Sequence, residues 1–323
     1  MLATRVTVVR GGPSAEYEIS LSTGAGVLAA LRELGYHTSD VIVSKGGEWI
    51  VDGRVKTPDQ TLLTTDVAFI AMHGAYGEDG TIQRIFERHH VPFTGSNSFP
   101  SSIAFNKVAT KNAVAPQGVM MPKHVRLLRR DVNDSEQLAQ VIASSFGPDY
   151  VLKPSQGGSS HGVMMVTGQK ALAEAITDVF SVSDECLVEE RIRGVEATVA
   201  ILEDFRDHEL YILPAIEIVP PSTHEFFSAD IKYTGETMEI CPGRFSFTEK
   251  QKLANAAALV HTTLGLTQYS RADFMVRDGE VYFLEVNTLP GLTPHSLFPK
   301  AAAAVGLDFN GLVEHLVKTA RVR

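Results

Sequence analysis

The amino-acid sequence predicts a mixed α/β and α+β protein whose N-terminal unit is a parallel sheet flanked by helices. Two observations carry this. Up to about Asn97, short apolar runs of strand character alternate with segments of helical period, the βαβ rhythm that gives parallel pairing. From Pro122 onward the order changes to strands and helices of a compact α+β kind, ending in two strands joined at an Asp-Gly pair.

Along the first unit, "RVTVV" is a strand, Ile19 to Leu34 a helix, "SDVIVS" and "VAFIAMHG" strands, "GTIQRIFERHH" a helix and "PFTGS" a shorter strand. A boundary is expected near Asn97, followed by a helix over Asn106–Gln117 that stops at Gly118. The second unit reads as "HVRLL", helix "SEQLAQVIASSFG", "YVLKP", loop "SQGGSSHG", "VMMV", helix "QKALAEAITDVF" and "CLVEE". A third follows with "EATVAIL", "ELYILPAIEIV", a long helix near Thr248–Leu264, "RADFMV", "VYFLEVN" and a last helix from Phe309. The units are therefore expected at 1–97, 98–188 and 189–323. Residues 220–244 are long for a structureless connection and carry Phe226, Phe227 and Tyr233, which suits a lid or binding element.

With 323 residues, 44% hydrophobic and 21% charged, the chain has enough apolar content for two or three cores. A net charge of −9 argues against nonspecific nucleic-acid binding, so any phosphates must be gripped by local cations. Apolar stretches stop short of the ~20 residues a bilayer needs. The start runs directly into strand-like sequence without a signal-peptide pattern, so no membrane partner and a cytoplasmic location are expected. Cys186 and Cys241, 55 positions apart with no CxxC spacing, read as small thiols without chemistry.

"LEVNTLPG", Leu284–Gly291, sets a carboxylate, Glu285, at the end of an apolar strand. A buried charge needs a cation, proton or metal beside it, and Asn287 shares a strand face with Glu285. Turn parity decides whether Asp273 can join them. A two-residue loop at Asp278-Gly279 would put Asp273 and Glu285 on opposite faces, whereas a three-residue loop, Arg277–Gly279, would gather Arg271, Asp273, Glu285 and Asn287 on one. The three-residue loop is the expectation. Such a set suits Mg²⁺, which prefers oxygen donors; it equally suits a structural ion pair from Arg271 to Asp273 or Glu285.

Other segments have two readings each. "KPSQGGSSHG" can close backbone N–H groups on phosphate oxygens beside Lys153, or be a flexible hairpin loop; it lacks P-loop spacing. Glu189 and Glu190 in "LVEERIRGVE" can border a cleft where backbone reads an adenine and Glu196 a ribose, or be solvated charges. "RGGPSAEYEIS" has a Gly-Gly turn into a helix but no GxGxxG, which excludes the nicotinamide reading. His73 in "AMHGAYGEDG" stands at the rim of a parallel sheet, as a structural or a functional histidine.

Taken together, "GGPSAEYEIS", "MHGAYGEDGTIQ", "VPFTGS", "KPSQGGSSHGV", "ATVAIL", "LPAIEI", "KYTGET", "RADFMV" and "EVNTLPGLTPHSLFPKAA" resemble the D-alanine–D-alanine ligase family of the ATP-grasp superfamily. The likeness runs from residue 5 to about 303. It implies an ATP-grasp fold behind an N-terminal parallel-sheet domain. ATP would lie between two antiparallel sheets, and two D-alanines would be joined through a D-alanyl phosphate for peptidoglycan precursor synthesis.

The resemblance also implies roles. Asp273, Glu285 and Asn287 would hold two Mg²⁺ ions, with Mn²⁺ a substitute. Lys107, Lys153 and Ser160 would face the nucleotide phosphates, and Lys232 of the lid the γ-phosphate. Glu189, Glu190, Ile192 and Glu196 would line the adenosine pocket. Arg271 and the backbone N–H of Gly291 would form an oxyanion hole. Glu16 and His73 would position the first D-alanine, and Ser296 and Leu297 the second. Glu16, Ser159 and Tyr233 would lock the lid, with Tyr233 favouring the dipeptide over the depsipeptide product. A homodimer is implied as well. Three positions depart from the family's pattern: Asn106 for Asp, Glu190 for Lys and "CPG" for "CPA". Another ATP-grasp ligase with a different second substrate, or a noncatalytic ATP-binding protein, are the alternatives.

Overall fold

The computed structural model describes residues 4–158, 162–221 and 237–321. Ser159, Ser160, Lys232, Tyr233 and the central part of the expected lid lie outside the described residues.

The first sheet is built from β1 (Arg5–Gly11), α1 (Tyr17–Glu33), β2 (His37–Val43), β3 (Trp49–Val51), β4 (Arg54–Lys56), α2 (Pro58–Leu62), β5 (Val67–Ile70) and α3 (Thr81–Arg88). Its order is β4-β3-β2-β1-β5, with β1 parallel to both β2 and β5. The sheet is mixed rather than wholly parallel, because β3 and β4 extend it antiparallel. The tight Ser44–Glu48 link turns the chain straight back, whereas a parallel crossover needs about a dozen residues. "PFTGS" supplies only a bridge from Phe93 to Ala68 and Arg321.

Next come α4 (Ser98–Phe105) and α5 (Lys107–Val114). Asn106 caps α5, its Oδ1 accepting from the Ala109 N–H at 2.9 Å, so Asn serves the cap as an Asp would. A 3₁₀ turn, Ala115–Gln117, continues the helix to Gly118.

The second sheet comprises β6 (His124–Leu128), α6 (Ser135–Ser145), β7 (Asp149–Pro154), β8 (Met164–Thr167), α7 (Gln169–Val179) and β9 (Glu185–Glu190). Its order is β6-β9-β7-β8, antiparallel throughout. Tyr150, Leu152 and Val188 pack with Ile142, Leu172 and Ile176 of the two helices. Alternation along β7 therefore turns Val151 and Lys153 toward a cleft on the opposite face.

The third sheet contains β10 (Val195–Phe205), β11 (His208–Ile212), β12 (Ile216–Val219), β13 (Met238–Ile240), α8 (Phe247–Thr263), β14 (Tyr269–Arg277) and β15 (Glu280–Asn287). The order is β13-β12-β10-β14-β15, with β11 paired to β10. The run expected as one strand over 209–219 breaks between β11 and β12 at Leu213–Ala215, where Pro214 has no N–H for a ladder. Leu253, Ala257 and Val260 of α8 cover Phe274 and Phe283. Last come α9 (Leu297–Ala303) and α10 (Phe309–Thr319), whose Phe298, Leu312 and Leu316 join the core around the first sheet. Among the described residues, no helix is long and apolar enough to cross a membrane. Both cysteines are thiols, and burial pushes Cys186 up to about 12.

Phe274 and Phe283 sit edge to face at 5.8 Å under α8, holding the strands that carry the cleft-facing carboxylates. Phe274→Ala should cost about 3–5 kcal/mol of stability by cavity formation, read as a lower denaturant midpoint; an unchanged midpoint would contradict this packing.

Candidate active site

The hairpin expectation is half corrected. β14 and β15 turn through Asp278 and Gly279 alone, both with positive φ (53° and 75°), because Arg277 pairs directly with Glu280. This is the two-residue loop that should part the carboxylates. They stay together because the ladder slips: Phe274 pairs with Phe283, yet Asp273 pairs with Glu285, leaving Leu284 as an additional residue. This β-bulge shifts parity by one, so Asp273 faces Glu285 and Arg271 faces Asn287.

Ion pairs tie the group together. Arg271 Nη2 and Nε donate to the two Asp273 oxygens at 2.8 and 2.9 Å, and Thr198 Oγ1 donates to Asp273 Oδ1 at 2.5 Å. The arginine–aspartate pair is thus present, one of the two readings that the residues allowed. Burial opposes the charge of Arg271, but Asp273 reverses that and raises its pKa. Lys107, in the first turn of α5, lies 3.2 Å from Glu285 Oε2 and donates to the Gly157 carbonyl at 2.8 Å.

A second cluster sits behind this one. Glu189, 1% exposed on β9, has Lys153 Nζ 2.6 Å from Oε2 and Lys111 Nζ 2.7 Å from Oε1. Burial alone would raise the Glu189 pKa, but the two ammonium groups bring it down to about 2. Glu189 is therefore gripped by lysines rather than turned out as a solvated strand end. Lys111 was not singled out from sequence; its signal is the four-residue spacing from Lys107, which sets both on one face of a helix.

These residues border a cleft of about 510 Å³ between the second and third sheets, lined by Lys153, Glu189, Glu190 and Ile192 on one side and Glu196, Asp273 and Leu284 on the other. A neighbouring cleft of about 890 Å³ is lined by Glu16, His73, Glu78, Asn287, Gly291 and Ser296. Lys107, Gly157, Gly158, Arg271, Glu285 and Leu297 border both. The two spaces meet at the bulged hairpin.

In the second cleft, His73 Nδ1 lies 3.1 Å from the Leu289 carbonyl, which can only accept, so the proton sits on Nδ1. Nε2 then accepts from Thr23 Oγ1 at 2.9 Å. With both nitrogens committed and burial lowering its pKa, His73 is a neutral brace between the sheet rim and the Leu289–Gly291 loop, not a proton acceptor. Glu16 approaches the Gly/Ser-rich loop so closely that a Cβ on Gly158 would lie 2.7 Å from its Oε2. Gly291 is similarly constrained: a Cβ there would meet Ser296 Oγ at 2.9 Å. Ser296 Oγ accepts from the Thr293 N–H at 3.1 Å, fixing the turn into α9.

Glu78 also went unassigned in sequence. Its carboxyl is buried, accepts from the Gly74 N–H at 3.0 Å, and is pushed well above the usual carboxylate range by burial and by Glu16. The sequence displays only its one acidic neighbour in "GEDG", Asp79, not its burial.

The family profile described as D-ala D-ala ligase C-terminus matches residues 114–318, and that of the N-terminus matches 51–96. The chain belongs to the D-alanine–D-alanine ligase family. It is 38% identical over 99% of its length, and 95% of the relative's, to the D-alanine–D-alanine ligase of Geobacter sulfurreducens. The fold resembles the VanG D-Ala:D-Ser ligase from Enterococcus faecalis, with TM-score 0.85, 27% identity, and 98% and 99% of the two chains covered. It also resembles the Bacillus anthracis D-alanine–D-alanine ligase complexed with ATP, with TM-score 0.81, 29% identity, and 98% and 97% covered. The ATP-grasp fold expected from sequence is that of these ligases.

The donors also fit a hard divalent cation in chemical type. Among the described residues there is no cluster of three His, Cys, Asp or Glu, but two facing carboxylates and the Asn287 carboxamide supply oxygen from one sheet face.

Because Glu78 holds its proton more tightly folded than unfolded, stability should fall as pH rises from the ordinary carboxylate range through its raised folded pKa. Glu78→Gln should remove that loss, matching the parent near pH 4 and exceeding it near pH 8 in denaturant titrations. Parallel curves for the two proteins would contradict a protonated Glu78.

Proposed function

We propose that the protein joins two D-alanines into D-alanyl-D-alanine with ATP, in the cytoplasm, as a homodimer built of units 1–97, 98–188 and 189–323. The observation that carries the reading is the shared wall of the two clefts at Lys107, Arg271 and Glu285, where a bound triphosphate and a carboxylic acid would meet. Family membership supplies the reaction type.

ATP would occupy the cleft between the second and third sheets, its adenosine against Glu189, Glu190, Ile192 and Glu196 and its phosphates toward Lys107 and Lys153. Ser160 and Lys232 are proposed for the phosphates as well. The first D-alanine, beside Glu16 and the loop braced by His73, would use its carboxylate to attack the γ-phosphorus, releasing ADP and forming an acyl phosphate. The amine of the second, held by Ser296 and Leu297, then attacks that carbonyl carbon. Arg271 and the Gly291 N–H would stabilise the oxyanion; phosphate leaves as the amide forms. Asp273, Glu285 and Asn287 would hold Mg²⁺, or Mn²⁺ in its place, which when bound neutralises charge on the transferring phosphoryl group. Ser159 and Tyr233 would link to Glu16 and exclude water, since an exposed acyl phosphate hydrolyses.

Phosphate release from ATP should require D-alanine and yield the dipeptide; D-serine and D-lactate, offered alongside D-alanine, test the second site. Release only with another acceptor, or ATP binding without turnover, would overturn the reading. Asp273→Ala should lower kcat by at least about 100-fold at saturating Mg²⁺ with the fold retained, and a parental rate would remove Asp273 from the mechanism.

A further inference from the structure

Lys111 has no place in the chemistry above, yet it is a cation 1% exposed, buried behind the wall of the cleft between the second and third sheets. Its stem is fixed by α5, its ammonium stands 5.8 Å over the Phe283 ring, and its nearest carboxylate is Glu189 at 2.7 Å. Burial lowers its pKa, with Glu189 opposing. A site that carries such a cost keeps it for a reason.

The charges on the cleft wall give that reason. Glu189 grips Lys153 Nζ at 2.6 Å, which orients the lysine but would also cancel its charge toward an anion. Lys153 and Glu189 line the cleft, whereas Lys111 reaches Glu189 from behind without lining it. Two lysines and one glutamate leave one net positive charge, on the side where Lys153 faces the cleft.

The geometry points to Lys111 as a positioning residue for the nucleotide polyphosphate: it neutralises Glu189, so that Glu189 aims Lys153 without extinguishing its charge. This rests on the reading that the cleft takes ATP. The residue never touches the phosphates. Its effect passes through Glu189, and it belongs to nucleotide binding rather than to amide formation.

The test compares the parent, Lys111→Met, Lys111→Arg and the double variant Lys111→Met/Glu189→Gln. Calorimetry measures ATP binding without D-alanine, and steady-state turnover separates KM for ATP from kcat. Lys111→Met should weaken ATP binding about tenfold and raise KM for ATP, with kcat changing less than about threefold. Lys111→Arg should stay within about threefold of the parent, and the double variant, which removes the negative charge together with its neutraliser, should recover part of the binding that Lys111→Met loses. A folded Lys111→Met that binds ATP like the parent, or a double variant no better than the single, would overturn the inference. If Lys111→Met fails to fold, Lys111→Gln takes its place in the same comparison, with the same outcomes for and against. A parent that binds ATP but does not turn over D-alanine strikes the ligase reading alone, while one that binds no ATP overturns both.

Discussion

Everything at this site depends on one slipped pairing, that of Asp273 with Glu285 across β14 and β15. A strand allows only two side-chain directions, so a carboxylate is either in the cleft or in the core. In the core, under α8, Glu285 would sit beside Phe274 and Phe283 with no partner for its charge. The additional residue, Leu284, resolves this. It lets the turn-side half of the hairpin keep its aromatic residues under α8 while the far half brings two carboxylates, an arginine and an amide to one face.

The cations around that face are arranged in layers. Arg271 holds Asp273, Lys107 lies against Glu285, and Lys153 is held by Glu189, which is in turn matched by Lys111. Buried charge of this kind contributes little to stability and costs desolvation, so its presence speaks for a function. The protein's net charge of −9 sharpens the point: an anionic nucleotide would have to be drawn by local groups such as these, not by the whole surface.

Most of the architecture was legible because it follows from periodicity. The α5 boundaries, the four strands of the second sheet and the last hairpin all show in the spacing of apolar residues and in Asn106, Gly118 and Asp278-Gly279. The antiparallel β3 and β4 were missed because each has only three residues, too few to show alternation. The gathering of Arg271, Asp273, Glu285 and Asn287 was foreseen for the wrong local reason, since a bulge has no signature in a run such as "YFLEVN". Lys111, Glu78 and the double commitment of His73 depend on burial and on partners far apart in the chain, which a sequence does not display.

The most direct measurement is a crystal structure with ATP, Mn²⁺ and a D-alanine phosphinate, using the anomalous signal of manganese to locate the metal. Manganese peaks within coordinating distance of Asp273, Glu285 and Asn287, between the nucleotide phosphates and the phosphinate, are the predicted result. Metal and triphosphate bound elsewhere, with Arg271 still closed on Asp273, would contradict the account.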